Sequence, residues 1–92
     1  MSKIFVSDIY DEYAAEIEAD FKQIKEVSGG IGYMESQLFV GSLQRISRKI
    51  YMRYGQSIVA YEDASSAEYI IYQQLLRCSK DLQKKYFGHS VG

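Results

Sequence analysis

Tryptophan and proline are absent from this chain of 92 residues, and cysteine and histidine occur once each. The lone Cys78 can form no internal disulfide and fits a reducing compartment. One cysteine and one histidine, His89, make neither a zinc ligand set nor a histidine-based catalytic triad. Runs of about 18 apolar residues are missing too, so no segment reads as a membrane-spanning helix. The opening residues Met-Ser-Lys-Ile-Phe-Val-Ser-Asp hold four apolar side chains and a lysine, too few for the apolar core of a secretory leader. A cytoplasmic protein is expected. With no proline-rich linker, repeat or low-complexity block, residues 1–92 read as a single small domain.

What the chain does have is apolar mass and segregated charge. Apolar residues make up 47% of it, nine of them tyrosines, enough for a core without metal or disulfide staples. The net charge of −1 hides a polarised pattern. Residues 1–40 carry three lysines against eight acids, whereas residues 41–61 carry four cations and no acid. Local charge of this kind predicts a polarised surface.

Apolar residues at Tyr10, Tyr13, Ile17, Phe21, Ile24 and Val27 recur every three or four positions, which predicts a helix over 8–28. Ser7 or Asp8 can cap its start, and Gly29-Gly30 stops it. Residues 43–54 then alternate: Ile46, Ile50, Met52 and Tyr54 at even positions, Arg45, Ser47, Lys49, Tyr51 and Arg53 at odd ones. Alternation is the mark of a half-buried strand. Gly55-Gln56 suits a two-residue hairpin turn that would set Met52 opposite Val59 and Lys49 opposite Glu62. A turn at Gly41-Ser42 would add a strand over 33–40 and face Glu35 with Arg48. Ser65 with Glu68 forms a capping box for a last helix over 65–87, with Ala67, Ile71, Leu75, Cys78, Leu82 and Tyr86 on one face. Gly88 ends that helix before a polar tail over 88–92.

The expected fold is therefore α+β: an α-β-β-β-α domain whose three-stranded antiparallel meander, over 33–62, is covered by two helices. An all-α bundle is the alternative. Phe39, Leu43, Ile46, Ile50, Tyr54, Ile58 and Tyr61 also recur at helical spacing, against which stand Gly41 and Gly55, each costing about 1 kcal/mol in a helix.

No motif marks an enzyme or a cofactor. Gly29-Gly30-Ile31-Gly32 lacks the strand and the lysine–threonine pair of a phosphate loop, and Cys78 falls on an apolar stripe as a structural thiol. The chemistry-bearing residues are the basic and aromatic ones: Arg45, Arg48, Lys49, Tyr51 and Arg53 form a candidate contact set for phosphates or carboxylates. Asp11, Glu12, Glu18 and Asp20 on the first helix are a second candidate contact face. Four cations on a chain of net charge −1 give a short electrostatic footprint, so affinity for free nucleic acid should be weak or nil.

The α-β-β-β-α order over residues 8–87 resembles double-stranded-RNA-binding domains. That family's lysine cluster is replaced here by Asp63-Ala64-Ser65-Ser66-Ala67-Glu68. By its size, its want of catalytic residues, its acidic helix and its basic stretch, the chain also resembles the small phage-encoded anti-CRISPR inhibitors. That resemblance implies a non-enzymatic inhibitor in the host cytoplasm that docks on a protein–RNA complex and blocks nucleic-acid access. A small nucleic-acid-binding module, or a helical immunity or assembly protein acting through protein–protein contacts, are the alternatives.

Overall fold

The computed structural model describes residues 5–28, 32–55 and 64–88 of the chain. Among them the secondary structure is helical throughout: α1 (Val6–Ser28), α2 (Gly32–Tyr54), α3 (Ala64–Cys78) and α4 (Lys80–Phe87). The sheet expected over 33–62 is not formed in any described residue. One helix, α2, runs through the proposed first strand, the Gly41-Ser42 turn and the basic strand. The α+β class is thus overturned in favour of a helical bundle. Residues 56–63, with Val59, Tyr61 and Glu62 of the supposed hairpin, lie outside the described residues.

The alternation over 43–54 misleads for a geometric reason. A row of helical neighbours four residues apart keeps its parity, so two such rows on different helix faces imitate the two faces of a strand. Ile46, Ile50 and Tyr54 form one row; Arg45, Lys49 and Arg53 form the other. The imitation breaks where helix and strand disagree. Phe39 and Leu43 are fully buried at odd positions, Ser47 joins them, and Met52 is 76% exposed. Ser47 is satisfied there by donating its hydroxyl to the Leu43 carbonyl at 2.7 Å. Glu35 and Arg48, thirteen residues apart on one helix, stand about 20 Å from each other along its axis rather than opposite one another.

Neither of the two glycines that weighed against a helix prevents one. Gly41 is exposed, with nothing within 4 Å of the position a Cβ would take. Gly55 follows the last helical residue and donates its N–H to the Tyr51 carbonyl at 2.7 Å. A Cβ there would meet that carbonyl oxygen at 2.5 Å, so the close approach itself requires glycine.

α1 follows its predicted bounds closely. Asp8 works at its start, accepting from the Phe5 backbone N–H at 3.3 Å, in the manner of the backward-reaching half of a capping box. The expected helix over 65–87 is two helices with a bend at Ser79. On either side of the bend Ser79 N–H donates to Leu75 and Gln83 N–H donates to Ser79. The Gln83 side-chain amide, fully buried, donates to the Leu76 carbonyl and to the Ser79 hydroxyl, each at 2.9 Å. The inward positions of α4 thus shift to Ser79 and Gln83, while Cys78, expected inside, is only half-buried. The Ser65 side chain of the supposed capping box lies outside what is described. Gly88 does end α4, in the left-handed conformation at φ 76°.

The core lies between α1, α2 and α3. Ile17, Phe21, Phe39, Leu43, Ile46, Ile50, Ile71 and Leu75 are all fully buried in it. At one end the rings of Phe21, Phe39 and Phe87 meet in tilted and edge-to-face contacts, with centroids 4.7 to 5.5 Å apart, joining α1, α2 and α4. Helical placement makes a sharp comparison. Ile46→Ala should lower stability by about 2–5 kcal/mol through a core cavity, and Met52→Asp by less than about 0.5 kcal/mol. Gly41→Ala should raise it by about 0.5–1 kcal/mol. Denaturant titration of the three variants reads all three outcomes.

Candidate binding surfaces

The two contact faces expected from sequence meet each other. α1 carries Glu12, Glu16 and Asp20 at steps of four, and α2 carries Arg45, Lys49 and Arg53 at the same step. Because the helices pack side by side in opposite directions, the rows pair in reverse order. Arg53 lies 3.7 Å from Glu12, Lys49 pairs with Glu16, and Arg45 reaches Glu16 at 3.3 Å and also Asp20. Polar bonds extend the ladder at both ends. Tyr54 donates its hydroxyl to both oxygens of Glu12 at 2.8 and 2.7 Å, and Ser42 donates to Asp20 at 2.9 Å.

Sequence reasoning named Glu12 and Asp20 but passed over Glu16, which joins Lys49 to Arg45. The available sign was the matched step-of-four spacing of opposite charges in two amphipathic segments. The remaining acids sit elsewhere. Glu18 accepts from Lys85 of α4 at 3.5 Å, and Asp11 is exposed. Tyr51 packs partly buried against the core instead of presenting a ring to solvent.

That leaves Arg48. It is exposed on the opposite flank of α2 and has no ion-pair partner among the described residues. With Gln44, Glu68, Tyr69 and Tyr72 it lines an open groove of about 540 Å³ between α2 and α3. Tyr69 is 59% exposed and its ring centroid lies 6.5 Å from that of Tyr72. Of the basic-aromatic set, then, the fold brings Arg45 and Arg48 to this groove, Arg45 already paired with acids of α1, and it brings tyrosines of α3 that sequence reasoning did not name. No family model matches the chain, and no curated protein and no solved structure matches it.

The titratable groups fit this arrangement. The hydrogen bond from Lys49, helped by the Lys49 and Arg45 charges, holds the Glu16 carboxyl below its ordinary 4.5. Donation to Glu12 pushes the Tyr54 phenol up. Burial, reinforced by Asp11, pushes the Cys78 thiol up, the reverse of an activated nucleophile. Tyr10, beside Cys78 and Glu18 in a small cleft between α1 and α4, is raised to about 12, chiefly by burial. Among the described residues no group of three or more His, Cys, Asp or Glu is placed to hold a metal ion, and no helix is long and apolar enough to cross a membrane.

Two signs of pH dependence follow from these shifts. The lowered Glu16 pKa contributes stability that is present above pH 4.5 and is lost as pH falls through the lowered value. The raised Tyr10 pKa contributes stability that is present below pH 10 and is lost as pH rises towards 12. Lys49→Glu should cost about 0.5–1 kcal/mol, as exposed pairs do, and should abolish the Glu16 part of the acid-side dependence. The swapped pair Glu16→Lys/Lys49→Glu should recover most of the stability. Thermal melts at a series of pH values check the set, and an unchanged melt for Lys49→Glu would show the ladder to be inert.

Proposed function

We propose that this chain is a non-enzymatic binding protein that docks through the outer face of α2 on an anionic surface of a protein or protein–RNA complex. The carrying observation is the contrast within one helix. Arg45, Lys49 and Arg53 are matched by acids of α1, while Arg48 stands open beside the tyrosines of α3. An arginine fork flanked by aromatic rings binds carboxylate or phosphate in a plane and also stacks. The raised Cys78 thiol supports a role without nucleophilic catalysis. In its specific form the proposal follows the resemblance to phage-encoded anti-CRISPR inhibitors: a cytoplasmic protein that obstructs nucleic-acid access to a CRISPR-like complex. With three of the four α2 cations already matched, affinity for free nucleic acid should be slight.

A helical immunity or assembly role differs only in the partner. It is favoured by Met34, Leu38 and Met52, which are exposed on α2, Met52 one turn from Arg48. In both readings contact is made by a helix face.

Affinity purification from the native host, with a nuclease-treated control, tests the assignment. Arg48→Glu should lose the co-purifying complex while retaining its helix content by circular dichroism. The ladder-swapped Glu16→Lys/Lys49→Glu should keep it. Retention by Arg48→Glu would remove α2's outer face from consideration.

A further inference from the structure

No glycine or proline lies between Ala64 and Phe87, yet this stretch bends at Ser79 into α3 and α4. Bends without those residues arise where a side chain enters the ladder of backbone hydrogen bonds. Gln83 is that side chain. In an unbroken helix the Leu76 carbonyl would accept from the Lys80 N–H, four residues on. Here it accepts from the buried Gln83 amide at 2.9 Å and from the Ser79 hydroxyl at 3.4 Å. Ser79 itself stands at φ −94° and ψ 11°, a modest rotation away from the α-helical values of about −63° and −42°. The hinge is thus a single residue with a bent and a straight setting close together.

We infer that α4 is an exchangeable element whose partner is a second copy of this chain. In the exchanged dimer Ser79 turns helical, and α3 and α4 merge into one straight helix about 36 Å long. Each α4 then seats on α1 of the other copy. The occupant of that seat is fixed by what already fills it. Phe87 packs on Phe21 and Phe39 with centroids 5.3 and 5.5 Å away, and Lys85 reaches Glu18 at 3.5 Å. A second α4 brings the same phenylalanine and the same lysine to the same places. The contacts of α4 beyond the hinge are therefore kept, which makes exchange of an identical element a low-cost route to a dimer.

What changes lies at the hinge. The Leu76 carbonyl passes from the Gln83 amide to the Lys80 N–H, one hydrogen bond for another. α3 keeps its place, because Ile71 and Leu75 stay buried in the core of their own copy. The apolar row Ala67, Ile71, Leu75, Cys78, Leu82 and Tyr86 runs at helical spacing straight through the bend, so a straight helix completes a period that the bent one interrupts. A formal net charge of −1 per copy puts little repulsion in the way.

The test mixes chains grown on ordinary and on heavy nitrogen, refolds them together at high concentration, and treats them with a zero-length carbodiimide. That reagent joins a lysine to the carboxylate it touches, so it links Lys85 to Glu18 and Lys49 to Glu16. In the dimer fraction from a sizing column, mass spectrometry should find Lys85–Glu18 links that join a heavy to a light strand. Lys49–Glu16 links should stay within one label, because α1 and α2 do not part. Gln83→Leu keeps a bulky side chain and gives up the amide, and should raise the dimerisation constant at least about tenfold. Adding Lys80→Pro should return that variant to the monomer, since proline suits the first residue of α4 and blocks a straight helix. Lys85–Glu18 links confined to one label, mixed labels at Lys49–Glu16, or a dimer that survives Lys80→Pro would each overturn the inference. So would a Gln83→Leu variant that dimerises no more than the wild type.

Discussion

The antiparallel contact of α1 with α2 is the constraint on which the rest of the molecule depends. Two rows do the joining. Ile17 and Phe21 of α1 bury against Phe39, Leu43, Ile46 and Ile50 of α2, and beside them the acids of α1 meet the cations of α2 in reverse order. The apolar rows supply the stability, since burying one large side chain is worth about 1.5–3 kcal/mol. An exposed ion pair contributes about 0.2–1 kcal/mol, so the charges serve chiefly to choose the register. A shift by one turn would set Arg45, Lys49 and Arg53 against the wrong acids and leave one cation unmatched. Once the hairpin is fixed, α3 has a single apolar trough to fill.

Helices at the two ends of the chain were legible because nothing competed with the helical period there. The middle was misread because its side chains satisfied two periods at once over 43–54, and because glycine propensity was weighed before position. Gly41 carries the ordinary cost of a glycine in an exposed helix interior, which burial of the apolar face of α2 outweighs, and Gly55 lies just past the helix. Of the seven residues on which the all-α alternative rested, Phe39, Leu43, Ile46 and Ile50 are the side chains most deeply buried in α2, Tyr54 is half-buried, and Ile58 and Tyr61 lie outside the described residues. The bend at Ser79 was not legible, because it depends on a buried glutamine reaching back to a carbonyl, a tertiary arrangement without a local signature.

For the candidate site, the residues named from sequence stand in a different relation from the one assigned to them. Arg45, Lys49 and Arg53 on one side, and Glu12 and Asp20 on the other, were read as two surfaces offered to partners. They are instead largely each other's partners. Charge segregation along a chain predicts two charged faces; it does not say whether the faces look outward or at one another. Arg48 differs by position alone, being rotated away from α1 towards the tyrosines of α3.

The Gln83–Leu76 hydrogen bond carries a consequence for how the molecule opens. That buried amide bridges the junction of α3 and α4, while Phe87 against Phe21 and Phe39, and Lys85 on Glu18, join α4 to the rest of the bundle. Release of α4 would uncover the aromatic end of the bundle while the α1–α2 ladder stayed closed. The molecule therefore has an inbuilt order of unfastening. Amides of the last eight-residue helix should belong to a weaker cooperative unit than those at the centre of α1 and α2, and transient exposure of hydrophobic surface would begin at this end of the bundle.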